Sequence, residues 1–272
     1  MRVQRVSPEV LHQISYLRAG TNGETETAQL PVLQAFVEEL PASLQAIVCT
    51  GDLQGVVAAL DTHSRSHLLG KVLAQELAIL LEMHNIDPAR TGVVLSGDFY
   101  SAPQADQRGA SGDVREVWNA FLQNFRWVLG VLGNHDQIGS TLQEFQEFVR
   151  QPNLYLLNGD TCVVDGLVVG GIGGIIGNPK RPLRRTAEDY LSALRKLRKA
   201  KAHLIVLHPS PAISYLNLVG NEELGVAFEQ QGFPLTVCGH VRWKQFYIQM
   251  RNGNQLLNVD SRVVVLQPSL ER

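Results

Sequence analysis

An apolar run that stops abruptly on Gly133-Asn134-His135-Asp136 constrains this chain more than any other feature. The run begins at Trp127 and reads as a buried strand. In open α/β sheets, chemistry gathers just beyond the carboxyl ends of such strands. Asn offers a carbonyl oxygen, His a proton or a ligand nitrogen, and Asp an anchor for that His. Taken alone, the same string is a turn, because Gly, Asn and Asp all favour turns.

The pattern recurs, and the recurrence separates the two readings. Ala46–Thr50 is a short apolar strand followed by Gly51-Asp52-Leu53-Gln54, and Thr91–Ser96 runs into Gly97-Asp98. Ala202–Leu207 ends at His208-Pro209, and Pro234–Cys238 at Gly239-His240-Val241-Arg242. One such residue after a strand means little; five strand ends carrying Asp, Asn or His are hard to explain as separate turns. Helices are expected between them, at 67–83, 113–124, 142–149, 187–200 and 222–231. Alternation of this kind implies βαβ units and an α/β fold. Segments 154–157, 161–164 and 167–172, joined by Asn-Gly and Asp-Gly, read as an antiparallel ribbon, and two or three strands close the chain. Residues 1–44 read as a helical lead-in packed on a main domain of 45–272: Ser7-Pro8-Glu9 can start a helix, and Pro31 to Leu40 has helical spacing ending at Pro41.

Composition narrows the partners. The chain has 272 residues, 24 Lys and Arg against 26 Asp and Glu, and a net charge of -2, so no bulk basicity calls for nucleic acid or an anionic membrane. Cys49, Cys162 and Cys238 are too few and too scattered for a disulfide framework or a zinc knot, and read as buried thiols. No apolar run is long enough for a bilayer and the start lacks a signal-peptide core, so a cytoplasmic protein is expected.

At this point the chain resembles the calcineurin-like metallophosphoesterases. That family's pattern is Asp-x-His, Gly-Asp, Gly-Asn-His-Asp/Glu, a lone His and Gly-His-x-His, each at a strand end. Here it stands as Asp52-Leu53-Gln54, Gly97-Asp98, Gly133-Asn134-His135-Asp136, His208 and Gly239-His240-Val241-Arg242, from about residue 46 onward. The resemblance implies a four-layer α-β-β-α sandwich of two mixed sheets and a divalent metal centre, one or two ions per chain, Mn²⁺ first with Fe or Zn²⁺ as alternatives. It implies Asp98 as the bridging ligand, Asn134, His208 and His240 completing one metal site, and Asp52 serving the other. It also implies His135 as the group that protonates the leaving alcohol, with Asp136 holding its ring. The implied reaction is hydrolysis of a phosphate mono- or diester on a small phosphorylated substrate. A non-catalytic scaffold on the same fold is the alternative.

Two positions depart from the pattern. Gln54 and Arg242 stand where the family has histidine ligands. Gln still offers a weak neutral oxygen; Arg has no lone pair and stays protonated. Three outcomes follow. Arg242 replaces one metal's charge and grips phosphate, or the first site holds a weak oxygen-ligated Mn²⁺ or Mg²⁺, or that site is empty and catalysis is lost. Elsewhere, Gly170–Pro179 reads as a strand running into a loop rather than a phosphate loop, and Lys180, Arg181, Arg184 and Arg185 form a basic cluster able to attract an anion. His63 is a candidate spare ligand, and Trp243 a candidate pocket wall.

Overall fold

The computed structural model describes residues 1–58 and 66–269, and His63 lies outside them. Two mixed sheets pack face to face, and alternation along single strands shows how. In strand Ala46–Gly51, Ala46 and Val48 point into one apolar core while Ile47 and Cys49 point into another. In Leu204–Pro209, Leu204 and Val206 enter that same second core, whereas Ile205 and Leu207 enter a third. A strand exposes opposite faces at successive residues. The second core is therefore the seam between the sheets, and the first and third are each covered by helices. All eight of these side chains are fully buried, so each strand reads as a continuous apolar run.

The helices supply the outer layers. α1 (Leu69–Met83) and α2 (Arg115–Asn124) bury Leu73, Leu77, Trp118 and Phe121 against the first sheet. α3 (Leu142–Val149) is a short peripheral helix begun by a capping box between Thr141 and Glu144. α4 (Ala187–Lys199) and α5 (Glu222–Gln230) bury Tyr190, Leu194, Leu197 and Phe228 against the second. The result is the expected α-β-β-α sandwich. In the first sheet, 46–51, 91–95, 127–130 and 154–156 run parallel, and 262–268 closes antiparallel on 46–51. In the second, 167–172, 204–209, 235–239 and 255–258 run parallel.

Two expectations need correction. Residues 1–44 contain no helix; they form strands Val3–Val6, His12–Ala19 and Thr25–Val37, and the last pairs in parallel with Arg262–Pro268. The supposed helix start at Ser7-Pro8 is a link between strands, and the helical spacing of 31–40 is strand alternation with Leu30, Val32, Ala35 and Val37 buried. The ribbon is also smaller than read. Leu154–Leu156 joins the first sheet beside Trp127–Gly130, and only Asp160–Val164 and Leu167–Ile172 form the hairpin, turning at Asp165-Gly166 with both φ positive. Asn158-Gly159 is instead the crossing from one sheet to the other.

Candidate metal centre

The five ligand-bearing strand ends meet where the carboxyl edges of the two sheets adjoin. Three belong to the first sheet and two to the second. Glycine makes the approach possible. A Cβ on Gly133 would lie 2.0 Å from Asp98 Oδ1, and one on Gly239 would lie 2.2 Å from Asp52 Oδ2. No side chain fits at either place. Asp52, Asp98 and His240 themselves adopt left-handed backbone, with φ of 51°, 57° and 66°. Such conformations are costly for non-glycine residues and concentrate at functional sites.

Asp52, Asp98, His208 and His240 each place a ligand atom within 4.8 Å of the others. Asp98 and His208 are buried, at 2% and 0% exposure. His208 Nδ1 lies 2.8 Å from the Ser96 carbonyl, to which it donates, leaving Nε2 to face the cluster. Nε2 stands 3.4 Å from Asp98 Oδ2, and the buried Asn134 Oδ1 has no hydrogen-bond partner among the described residues. Buried polar atoms in folded proteins are nearly always paired. His208 Nε2 lies within the cluster, and Asn134 precedes His135, whose backbone N–H donates to Asp98 Oδ1 at 2.9 Å. Carboxylates, imidazoles and an amide oxygen are a donor set that suits a divalent cation. The residues present therefore fit the implied metal.

Electrostatics agree. Burial pulls the His208 imidazole down, but Asp98 outweighs it and holds His208 up to about 10 without metal. Burial likewise pushes Asp98 up, and His208 with the His135 backbone N–H brings it below the usual range. His240 is pushed down to about 4 by burial and by His208, so its imidazole is neutral at ordinary pH, the form able to ligate a metal. Its ring centroid lies 4.9 Å from that of His208. Asp52 is raised by burial and by nearby Asp260, a like charge held against it.

The remaining expected residues divide. Gln54, His135 and Arg242 line a cavity of about 570 Å³ beside the cluster. His135 Nδ1 lies 3.0 Å from Ser111 Oγ. Asp136 does not hold the His135 ring, which corrects the role expected for it. Its carboxylate accepts from the backbone N–H groups of Asp98 and Phe99 at 2.7 Å and of Gly133 at 2.9 Å. It joins the Gly97-Asp98 and Gly133-Asn134 loops from behind. Trp243 is core, 3% exposed, with Nε1 donating to the Val219 carbonyl. In the basic cluster, Arg185 donates to Asn158, and Arg184 lies close enough to His240 to help lower it.

Sequence reasoning missed Asp260, Tyr16 and Arg18, all on the cavity wall. Asp260 carried the usual signal: it follows the buried strand Gln255–Asn258, which the strand-end rule applied above would have caught. Tyr16 and Arg18 carried none, since their strand was read as helix.

Fold and site together define a class: a sandwich of two sheets with a metal-ligand cluster at their shared carboxyl edge. The chain belongs to the calcineurin-like phosphoesterase family, whose model matches residues 46–242. Among solved structures, TT1561 of Thermus thermophilus is similar at 16% identity and a TM-score of 0.51, covering 84% of this chain and 90% of its own. A hypothetical protein from the same organism matches at 15% identity and a TM-score of 0.47, over 80% of this chain and 76% of its own. At 16% identity the likeness to TT1561 concerns the fold. No curated protein matches. Among the described residues no helix is long and apolar enough to cross a membrane.

Proposed function

We propose that this protein hydrolyses a small phosphate ester at a divalent metal held by Asp98, Asn134, His208 and His240, with Asp52 beside them. The observation that carries the reading is the meeting of ligand atoms from Asp52, Asp98, His208 and His240 within 4.8 Å of one another, from four separate strand ends. A bound cation, Mn²⁺ in first place and Fe or Zn²⁺ otherwise, supplies positive charge to phosphoryl oxygens and lowers the pKa of water.

The chain's own residues do the rest. His135 lines the cavity with Nδ1 against Ser111, so Nε2 is the nitrogen left to give a proton to the departing oxygen. Arg242 places a permanent cation on the same wall, where its planar fork suits phosphoryl oxygens. It stands in for the charge of the metal ion that histidines at positions 54 and 242 would have helped to hold, which makes one tightly held metal per chain the expected content. Gln54 can add only a weak neutral oxygen to a second ion.

The test is elemental analysis after Mn²⁺ loading and desalting, with turnover of a generic phosphate ester. One metal per chain is expected. His135→Ala should retain that metal yet lose about 10²–10⁴ in kcat. Absence of both metal and turnover would favour the non-catalytic scaffold, which the loss of two histidine ligands at Gln54 and Arg242 motivates.

A further inference from the structure

One wall of the cavity is built by chain outside the family-matched residues. Strand His12–Ala19 pairs with Thr25–Val37 to form a hairpin, and Leu17 pairs with Val56, just beyond Asp52-Leu53-Gln54. A Cβ on Gly55 would sit 2.4 Å from the Tyr16 ring, so that ring packs directly on the Gly55 backbone. Two residues on, Arg18 shares a face with Tyr16, roughly 7 Å further along the strand. Both line the cavity. Near the tip, Thr25 Oγ1 donates to the carbonyls of Gln104 and Ala105 at 2.8 and 3.3 Å. That tie joins the hairpin to the loop carrying Arg108, another cavity residue.

The cavity is lined by the guanidinium groups of Arg18, Arg108 and Arg242 and by the carboxylates of Glu26, Asp52, Asp98 and Asp260, of which Asp52 and Asp98 belong to the metal cluster. Arg18 Nε donates to Glu26 Oε1 at 2.7 Å, which orients the guanidinium. Its terminal nitrogens donate to no carboxylate or carbonyl among the described residues. Arg108 and Arg242 form no ion pair among those residues. Three guanidinium groups, from three separate elements, thus border a volume suited to one small ligand. A scissile phosphate at the metal cluster uses Arg242. Arg18 and Arg108 remain, and guanidinium forks match phosphate and carboxylate alike.

We infer that the substrate is a compact phosphate ester carrying a second anionic group, phosphate or carboxylate, and that Arg18, aided by Arg108, reads that group. The inference rests on the phosphoesterase reading above. It makes the N-terminal hairpin the specificity element of the site.

The test compares matched substrates on metal-loaded wild type, Arg18→Gln and Arg18→Lys. Fructose 6-phosphate against fructose 1,6-bisphosphate adds a phosphate; glycerol 3-phosphate against 3-phosphoglycerate adds a carboxylate. In wild type, kcat/KM should favour the two-anion member of one pair by about tenfold or more, mainly through KM. Which pair responds identifies the second group. Arg18→Gln should bring that ratio close to one, and Arg18→Lys should keep part of it. A wild-type ratio near one for both pairs, or a ratio unchanged in Arg18→Gln, overturns the inference. Arg18 and Glu26 are about half exposed, so an unchanged melting temperature checks the fold. If no ester is turned over, the phosphoesterase reading has failed, and calorimetry still decides the inference. Tighter, Arg18-dependent binding of fructose 1,6-bisphosphate than of fructose 6-phosphate, or of 3-phosphoglycerate than of glycerol 3-phosphate, supports it, and equal binding within both pairs refutes it.

Discussion

Asp136 shows how a residue's type can be read correctly and its role misread. An Asp after a Gly-Asn-His string looks like the anchor of its neighbouring histidine. Instead its two oxygens take three backbone N–H groups from two loops. The buried carboxylate is raised to about 6 by desolvation and then by Asp98, yet those three donors favour the charged form. Asp136→Ala strands all three donors beneath the metal ligands. Hydrogen bonds to buried charges contribute about 1.5–3 kcal/mol each and are not additive, so a loss of about 2–4 kcal/mol is expected. Denaturant unfolding measures it. Weaker metal binding should accompany it, because Asp98 and Asn134 ride on the loops that Asp136 joins.

The N-terminal hairpin is the element that sequence patterning mistook. Leu30, Leu33 and Val37 have helical spacing, and Pro41 looks like a stop. The strand form prevails because both sides of Thr25–Val37 find partners, His12–Ala19 on one and Arg262–Pro268 on the other. Pro31 is tolerated because the parallel ladder to the last strand begins only at Val32, so its missing N–H costs no bond there. The hairpin's inner residues join the main core: Leu30 and Val32 are fully buried with helix residues such as Leu73 and Leu77. Leu30→Ala should therefore destabilise the whole protein by about 2–5 kcal/mol in one cooperative transition. A separate early transition, or no change, would show the hairpin to be an independent appendage.

For the whole molecule, the ligand cluster spans both sheets. Asp52 and Asp98 come from the first; His208 and His240 come from the second. A cation bound there ties the sandwich across its seam, and a ligand at a thousandfold excess over its Kd stabilises by about 4 kcal/mol. Chelation should lower the melting temperature, and His208→Ala should remove that metal-dependent increment. The pH dependence has a definite sign. His208 is raised from its ordinary 6.5 to about 10. Its imidazolium thus stabilises the metal-free fold fully below about 6.5, and this contribution fades as pH rises through about 10. Metal must displace that proton to reach Nε2, so affinity should climb with pH over the same window. Titration calorimetry in buffers of different ionisation enthalpy should record proton release on binding, and pH-independent affinity would contradict the assignment.

By itself the sequence determined the strand-and-helix alternation of residues 46–242 and the small polar residues that end each strand. Those are local properties: apolar runs bury, and Gly with Asp, Asn or His breaks them. It also determined that Gln54 and Arg242 cannot reproduce the usual ligands, since that is fixed by side-chain chemistry. Only the tertiary structure decided which side chains meet. It placed Asp136 behind two loops rather than on His135, and it brought Asp260 beside Asp52 although more than two hundred residues separate them. It also turned residues 12–37 into a cavity wall bearing Tyr16 and Arg18. These depend on pairings between distant strands, Thr25–Val37 with Arg262–Pro268 above all, whose hydrogen bonds leave no periodic trace in either segment.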